Sequence, residues 1–141
     1  MTRSLAIDTS ALIALIRNEP DAPWFASVLD SAGERLLSAG SLQELLVVHA
    51  DHARRAELDV DLAHAIGVAT IAALNITVVP VSAELATIGA AAVLRYRQAP
   101  ARLNLGDGFA YALAKSYGVP LLCKGNDFPH TDIEVLQPPA A

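Results

Sequence analysis

The sequence has 141 residues, of which 53% are hydrophobic and 18% charged, and this length and apolar content predict one domain over residues 1–141 with a sizeable core. No apolar run approaches the roughly 18 residues that span a bilayer, and the start, MTRSLAID, lacks the apolar segment of a signal peptide, so we expect a cytoplasmic protein. The net charge of −5 disfavours non-specific binding to nucleic acid and the single cysteine excludes an internal disulfide, so any nucleic-acid contact must be local or assisted by a metal ion.

Strands and helices alternate in the first half of the chain. The apolar run LAI predicts a buried strand, and SALIALIRN carries apolar residues at helical spacing before the break at NEPDAP. The small and branched apolar residues of DVDLAHAIGVATIAALN predict a helix buried on more than one side. In order, the predicted elements are a strand over 5–7, helices over 10–18 and 24–33, a strand over 35–39, and helices over 41–55 and 59–75.

The second half continues the same alternation. ITVVPV is rich in β-branched residues and is predicted as a strand, and the helix LGDGFAYALAKSYG ends at Gly118, as helices commonly do. The predicted elements are a strand over 76–81, a helix over 82–97, a loop over 98–104, a helix over 105–118, strands over 119–124 and 133–136, and an unstructured tail from about 137.

Short apolar strands that alternate with helices predict an α/β fold with a mainly parallel sheet covered on both faces. In such folds, ligands bind outside the carboxyl ends of the strands. Asp8 follows the first predicted strand, and we therefore expect it at this edge of the sheet.

Each acid near this edge also has a structural explanation. An Asp at a helix start caps free backbone N–H groups and interacts favourably with the helix dipole, which accounts for Asp8 by itself. SLQE, ending at Glu44, fits a capping box, and NLGD, from Asn104 to Asp107, opens the next long helix in a similar way. Taken singly, these carboxylates do not indicate a functional site.

Their joint placement predicts a metal site. Asp8 and Glu44 follow the first two strands, Asp107 opens the helix before the fourth strand, and Asp127 follows that strand. Carboxylates brought together at one sheet edge raise one another's pKa unless a cation compensates them, and an all-oxygen cluster suits Mg²⁺ or Mn²⁺ rather than zinc. One or two such ions activate water for attack on phosphorus, as in many nucleases. We therefore expect Asp8, Glu44, Asp107 and Asp127 to be both metal ligands and catalytic residues.

Four polar neighbours are candidates to hold these carboxylates in position by hydrogen bonds without binding the ion themselves: Thr9, Ser10, Asn104 and Asn126. Helix capping is the alternative role for Ser10. Arg97 and Arg102, just before Asp107, and Lys124, just before Asp127, are candidates to hold RNA phosphates, although charges that keep an exposed loop soluble explain the arginines equally well. His49 and His52 have a spacing that suits a metal, but without a third nitrogen or sulfur ligand they are better explained as part of a solvated helix face.

The motifs IDTSALIAL, SAGSLQELLVV, LNLGDGFAYALAKSYGVPLL and CKGNDFPHTDI span nearly the whole chain and resemble those of the PIN-domain family, and within it the VapC-like toxins of bacterial toxin-antitoxin modules. The resemblance implies a three-layer α/β/α sandwich with four to five strands and a ribonuclease that uses Mg²⁺ or Mn²⁺. Asp8, Glu44 and Asp107 match the acids of the family. For the fourth acid, GND offers Asn126 or Asp127, and we favour Asp127 because it keeps the negative charge.

The same resemblance implies partners. VapC-like toxins form homodimers and are neutralised by a small VapB-like antitoxin, whose inserted arginine compensates the carboxylates. The high apolar content fits such shared surfaces. We therefore expect an antitoxin, an RNA substrate and self-association.

Two other functions are compatible with parts of the sequence. The first is a PIN-like module that binds RNA or protein without cutting it, and the retention of four mutually repelling acids argues against it. The second is a phosphoacceptor domain of flavodoxin-like layout, for which the third strand, ITVVPV, lacks a terminal Asp.

Overall fold

Five parallel strands form the centre of the structure, a computed structural model that describes residues 2–140. The strands are β1 (Leu5–Ile7), β2 (Arg35–Ser38), β3 (Thr77–Val79), β4 (Leu121–Leu122) and β5 (Val135–Leu136). The helices are α1 (Thr9–Ile16), α2 (Ala22–Ser31), α3 (Ala39–Arg55), α4 (Val60–Ala73), α5 (Ala83–Tyr96) and α6 (Leu105–Tyr117), and a short 3-10 helix spans Phe128–His130. The predicted alternation of elements is confirmed.

The sheet has the order β3-β2-β1-β4-β5, so β1 lies at its centre. Ala6 of β1 pairs with Leu36 on one side and with Leu121 on the other. A flavodoxin-like layout would place β3 next to β1. The phosphoacceptor interpretation is therefore wrong.

Alternate residues of each strand point into two separate cores. Ala6, Leu36 and Leu121 pack with α5 and α6, whereas Ile7 and Leu37 pack with α1, α2, α3 and α4. Both faces of the sheet are thereby covered by helices, and the predicted α/β/α sandwich is confirmed. Cys123 is fully buried in the first core, as expected for a small apolar residue.

Helix α4 departs from the prediction. Its buried residues are Ala63, Gly67 and Ile71, which form one stripe, while Leu62 and Ile66 are 58% and 46% exposed. The prediction of burial on more than one side is therefore wrong, because α4 packs mainly on α3 and presents its other apolar residues to solvent.

The ends of the helices follow ordinary capping chemistry. Ser82 and Asp59 accept backbone N–H bonds at the starts of α5 and α4, and Gly118 ends α6 in the left-handed conformation, with φ of 63°. Residues 137–140 contain no helix or strand. Within residues 2–140, none of the helices combines the length and the apolar character that crossing a membrane requires.

Candidate metal centre

Asp8 lies at the carboxyl end of the central strand and is only 7% exposed. It is the N-cap of α1: its Oδ2 accepts the backbone N–H of Ser10 at 3.1 Å and the hydroxyl of Ser10 at 2.5 Å. Burial raises the pKa of Asp8, and the nearby charge of Glu44 raises it further. The capping role is therefore real, but it accounts for one carboxylate oxygen of a buried acid whose charge remains uncompensated.

Asp107 opens α6 on the same side of the sheet. It forms a capping box with Asn104, in which Asp107 Oδ2 accepts the Asn104 N–H at 2.9 Å and Asn104 Oδ1 accepts the Asp107 N–H at 3.0 Å. Burial raises the pKa of Asp107 to about 6, and the charges of Asp8, Asp127 and Glu44 contribute to this rise. Asp107 therefore lies within electrostatic range of the other three predicted acids, although the four come from different segments.

Glu44 lies in α3, and the capping box predicted for it is wrong. The helix begins earlier than predicted: Ser38, the last residue of β2, is the N-cap, and its Oγ accepts the Gly40 N–H at 3.2 Å. Ser41 is inside the helix and 1% exposed. The Glu44 carboxylate instead lies against Gly106, where an added Cβ would come within 2.0 Å of Oε2. With capping removed as an explanation, the position of Glu44 beside Asp107 favours a role in the site.

Asp127 is exposed in the loop that follows β4. Its charge raises the pKa of Asp107 and that of the buried Cys123, and the pKa of this thiol, raised chiefly by burial, is about 12. Asn126 is also exposed and is the next residue toward β4. The choice of Asp127 over Asn126 stays a prediction, and this coupling of charges supports it.

The cluster fits a hard divalent cation. Its donors are all carboxylate oxygens, and no ion pair formed within residues 2–140 involves Asp8, Glu44, Asp107 or Asp127. In the same part of the chain, no three His, Cys, Asp or Glu side chains are gathered as a finished coordination set. Asp8 and Asp107 are fixed by hydrogen bonds, so we expect the side chains of Glu44 and Asp127 to turn inward when an ion binds.

The hydroxyl of Ser10 bonds to the Asp8 carboxylate, whereas the hydroxyl of Thr9 does not. The Ser10 hydroxyl donates to Asp8 and accepts the backbone N–H of Lys124 at 2.9 Å, so it links α1 to the loop after β4. Because Asp8 is the N-cap, the capping alternative for Ser10 is wrong. The Thr9 hydroxyl donates to the carbonyl of Ser41 at 3.2 Å and joins α1 to α3.

The three basic residues predicted to hold RNA phosphates lie in two different environments. Arg97 and Arg102 are exposed, at the end of α5 and in the loop that leads into α6, and their role toward RNA stays a prediction. Lys124 bonds instead to two acids of the α1–α2 loop, with its Nζ 2.9 Å from Asp21 Oδ2 and 3.4 Å from Glu19 Oε1.

The histidines of α3 do not extend the site. Burial lowers the pKa of His49, and the charges of Arg17 and His52 lower it further. His49 is partly buried and lies against Gly67 of α4, so it is not part of the solvated face that we expected, whereas His52 is exposed as expected.

Sequence reasoning missed three residues around the site. Gly106 makes room for the carboxylate of Glu44, and Glu19 and Asp21 bind the side chain of Lys124. The segment LGDG carried a signal for Gly106, since a glycine in the first turn of a helix is unfavourable without a packing reason. Glu19 and Asp21 carried no such signal, because they lie more than 100 residues from Lys124 along the chain.

Residues 5–134 match the PIN-domain family. The chain is 39% identical over 138 residues to a protein of Mycobacterium tuberculosis named Ribonuclease VapC30, with 96% of this chain and 100% of that protein covered.

Solved structures share the fold. One is Mycobacterium tuberculosis VapC20, described as a sarcin-ricin loop cleaving toxin, with a TM-score of 0.75, 18% identity and coverage of 96% of this chain and 100% of that chain. Another is VapBC-5 of the same organism, described as a member of the VapBC family of toxin-antitoxin systems, with a TM-score of 0.65, 20% identity and coverage of 95% and 96%.

Proposed function

Because the chain belongs to the PIN-domain family, we propose that it is the toxin of a toxin-antitoxin module, an endoribonuclease that hydrolyses RNA phosphodiester bonds. One observation carries the proposal: four carboxylates that form no ion pair within residues 2–140 lie toward the carboxyl edge of the sheet, where burial and the charges of the other three acids raise the pKa of Asp107 to about 6. The 39% identity to a ribonuclease along the whole length of that relative supports the same activity.

The four acids and Ser10 would have different roles in such a reaction. Asp8 and Asp107 are fixed by hydrogen bonds and would hold a divalent ion, with Glu44 and Asp127 completing the set of oxygen donors. A bound divalent cation supplies Lewis acidity, which lowers the pKa of an attacking water and stabilises negative charge on the phosphate. Ser10 keeps the carboxylate of Asp8 in one orientation.

The proposal also concerns which divalent ion the site binds. Divalent-metal dependence fits the donor set, and among divalent ions we propose Mg²⁺, with Mn²⁺ as an effective substitute, because both prefer carboxylate oxygens. Protonation of Asp107 below a pH of about 6 would compete with either ion, so we expect cleavage to decline on the acid side of this value.

The direct test is cleavage of structured RNAs by the purified protein in the presence of Mg²⁺. We expect cleavage that EDTA abolishes, and we expect Asp8→Asn and Asp107→Asn to reduce its rate more than about a hundredfold, since each removes a charged ligand. Asp61→Asn, which changes an exposed acid on α4, is the matched control and should cut at the wild-type rate. Unchanged cleavage in Asp8→Asn or Asp107→Asn would overturn the assigned site.

We also propose a small VapB-like antitoxin as partner and self-association of the toxin. Solved structures of the same fold include toxin-antitoxin complexes, and several large apolar side chains are exposed on this chain. They are Val47, Leu58, Leu62, Ile66, Val68, Leu94, Leu105 and Tyr117. An arginine of the antitoxin would compensate the same carboxylates that a metal ion does.

Co-expression with the product of an adjacent short reading frame tests the partner. We expect a stable complex that does not cleave RNA, and we expect Asp107→Asn to weaken it because a carboxylate that faces the arginine is lost. Light scattering on the free protein should give the mass of a dimer. A monomer that fails to bind the adjacent product would contradict this part of the proposal.

The alternative of a PIN-like module that binds without cutting has no specific observation in its favour. The relative with 39% identity is named a ribonuclease, and all four acids are present in this chain. Tight RNA binding without turnover, in Mg²⁺ and in Mn²⁺, is the result that would support that alternative.

A further inference from the structure

Lys124 joins the loop that follows β4 to the loop between α1 and α2. Its ammonium group contacts Asp21 at 2.9 Å and Glu19 at 3.4 Å, both in the loop between α1 and α2. Its own loop follows β4 and leads to Asp127. The side chains of Lys124, Glu19 and Asp21 are 39%, 31% and 22% exposed, so the contact is partly screened from solvent.

The acids of this contact lie on a well-anchored segment. The backbone N–H of Glu19 donates to the carbonyl of Ala14 at 2.9 Å, and Asp21 is the N-cap residue of α2. Asp21 makes no side-chain capping bond of its own, which leaves its carboxylate to Lys124. The ammonium group is therefore bound to a segment that backbone hydrogen bonds anchor to α1 and α2.

The backbone of Lys124 reaches the site directly. Its N–H donates to Ser10 Oγ at 2.9 Å, and the Ser10 hydroxyl donates to Asp8 Oδ2 at 2.5 Å. The next residue, Gly125, has a φ of 105°, so the chain turns sharply on its way to Asp127. The carbonyl of Gly125 accepts a hydrogen bond from the Gln137 side chain. The position of Lys124 thus affects one site acid through Ser10 and another through the backbone.

We propose that Lys124 is a positioning residue: its ammonium group, held by Glu19 and Asp21, fixes the loop that orients Asp8 through Ser10 and carries Asp127. This inference rests on the proposed function of the four acids. It replaces the prediction that Lys124 binds RNA phosphate, because the ammonium group is already bound by two carboxylates of its own chain.

Simple electrostatics and positioning predict opposite effects of removing this lysine. Loss of a nearby positive charge should tighten the binding of a divalent cation to an acidic site. Loss of a positioning contact should weaken it, because the acids are then less well ordered around the ion. The sign of the change in Mn²⁺ affinity for Lys124→Met therefore separates the two.

The experiment is a calorimetric titration of Mn²⁺ into the full-length protein without RNA, followed by RNA cleavage kinetics on the same variants. For Lys124→Met we expect Mn²⁺ binding to weaken about tenfold and kcat to fall by a similar factor, with an unchanged KM for RNA. The double variant Glu19→Gln/Asp21→Asn should show the same losses, and the triple variant should lose no more than either. Lys124→Arg should restore both values, which shows that the loss does not come from misfolding.

Lys115→Met is the matched control. Lys115 also pairs with an acid, Asp132, at 2.9 Å, but it lies in the last turn of α6, whereas Asp107 lies in the first. This variant removes the same charge, and we expect wild-type Mn²⁺ affinity and kcat.

Three results would overturn the inference. The first is wild-type or tighter Mn²⁺ binding by Lys124→Met, and the second is an additional loss in the triple variant. The third is a lower KM for RNA in Glu19→Gln/Asp21→Asn, since a lysine freed from its acids would then be binding RNA. If the wild-type protein itself neither binds Mn²⁺ nor cuts RNA, the proposed function fails, and this inference fails with it.

Discussion

The carboxyl group of Asp107 meets two conflicting demands. It caps α6 by accepting the N–H of Asn104, and burial, together with the charges of three other acids, raises its pKa to about 6. The ordinary pKa of an aspartate is 3.8, so the folded protein binds a proton here more tightly than the unfolded chain does. Without a cation, this acid destabilises the fold at neutral pH.

This conflict gives a pH dependence with a definite sign. A raised folded-state pKa means that stability is gained as the pH falls through about 6 toward 4 and is lost as the pH rises. In EDTA, we expect the free energy of unfolding to be about 1 kcal/mol larger at pH 5 than at pH 7 through Asp107, with Asp8 acting in the same direction. Urea unfolding at both pH values measures it.

Asp107→Asn should remove the contribution of Asp107 to this difference. Asp132, which bonds to Tyr111 and Lys115, has a pKa lowered to about 2, so its own effect is confined to more acidic solutions, between about 4 and 2. An unchanged difference between pH 5 and pH 7 in Asp107→Asn would contradict the assignment.

The carboxylate of Glu44 occupies the space that the missing side chain of Gly106 leaves open. A Cβ added at this position would come within 2.0 Å of Glu44 Oε2, which is the mobile end of a side chain. For Gly106→Ala we expect the fold to keep its stability, because the side chain can move and alanine favours the helix, but RNA cleavage to fall tenfold to about a hundredfold. Thermal unfolding and cleavage rates measure the two effects.

The double variant with Glu44→Ala isolates the cause of that loss. If Gly106→Ala acts by displacing Glu44, it should have no further effect once the carboxylate is gone. A full additional loss in the Glu44→Ala background would show that Gly106 acts by another route.

At the level of elements, α5 and α6 cross at two glycines. A Cβ on Gly89 would lie 2.8 Å from the carbonyl oxygen of Gly108, and backbone atoms cannot move aside. Gly67 in α4 is a matched control, because the one close contact of its Cβ would be with the end of the Leu46 side chain, at 2.9 Å, and its contact with the His49 ring would be an ordinary 3.9 Å. Both substitutions to alanine gain about 1 kcal/mol of helix propensity. Any difference between the free energies of unfolding of the two variants therefore measures the cost of the close contact between α5 and α6.

We expect Gly89→Ala to lower the free energy of unfolding by about 1 to 3 kcal/mol and Gly67→Ala to leave it unchanged or raise it. Urea unfolding of both variants is the measurement. Equal stabilities would mean that the two helices are not in contact at Gly89.

The elements themselves were predictable because each has a local signature. Apolar strands, helical spacing and end signals such as Gly118 placed the five strands and six α-helices in the right order, whereas the short 3-10 helix Phe128–His130 was not predicted. The capping box at Ser41 and Glu44 was wrong because S-x-x-E is a short pattern, and Ser38, at the end of β2, already caps the helix. The exposure of α4 was unpredictable from composition, which reports apolar content but not the number of neighbouring helices.

At the level of the whole molecule, the order of the strands determines where the four candidate acids lie. β1 lies at the centre with β2 and β4 on either side, so the segments after these strands, which carry Asp8, Glu44 and Asp127, meet at one edge, and α6 delivers Asp107 to the same edge. A parallel sheet made this convergence predictable from sequence. The contact of Lys124 with Glu19 and Asp21 was not predictable, because no local pattern pairs residues so far apart.

The most direct test of the metal centre is the release of protons when Mn²⁺ binds to the protein without RNA. Calorimetric titrations at pH 6 and pH 7.5, in buffers of different ionisation enthalpy, count these protons. We expect Mn²⁺ to bind at both pH values. It should displace a fraction of a proton at pH 6, where Asp107 is about half protonated, and a smaller fraction at pH 7.5. Absence of Mn²⁺ binding, or binding with the same affinity and proton release in Asp107→Asn, would contradict a metal site at these four acids.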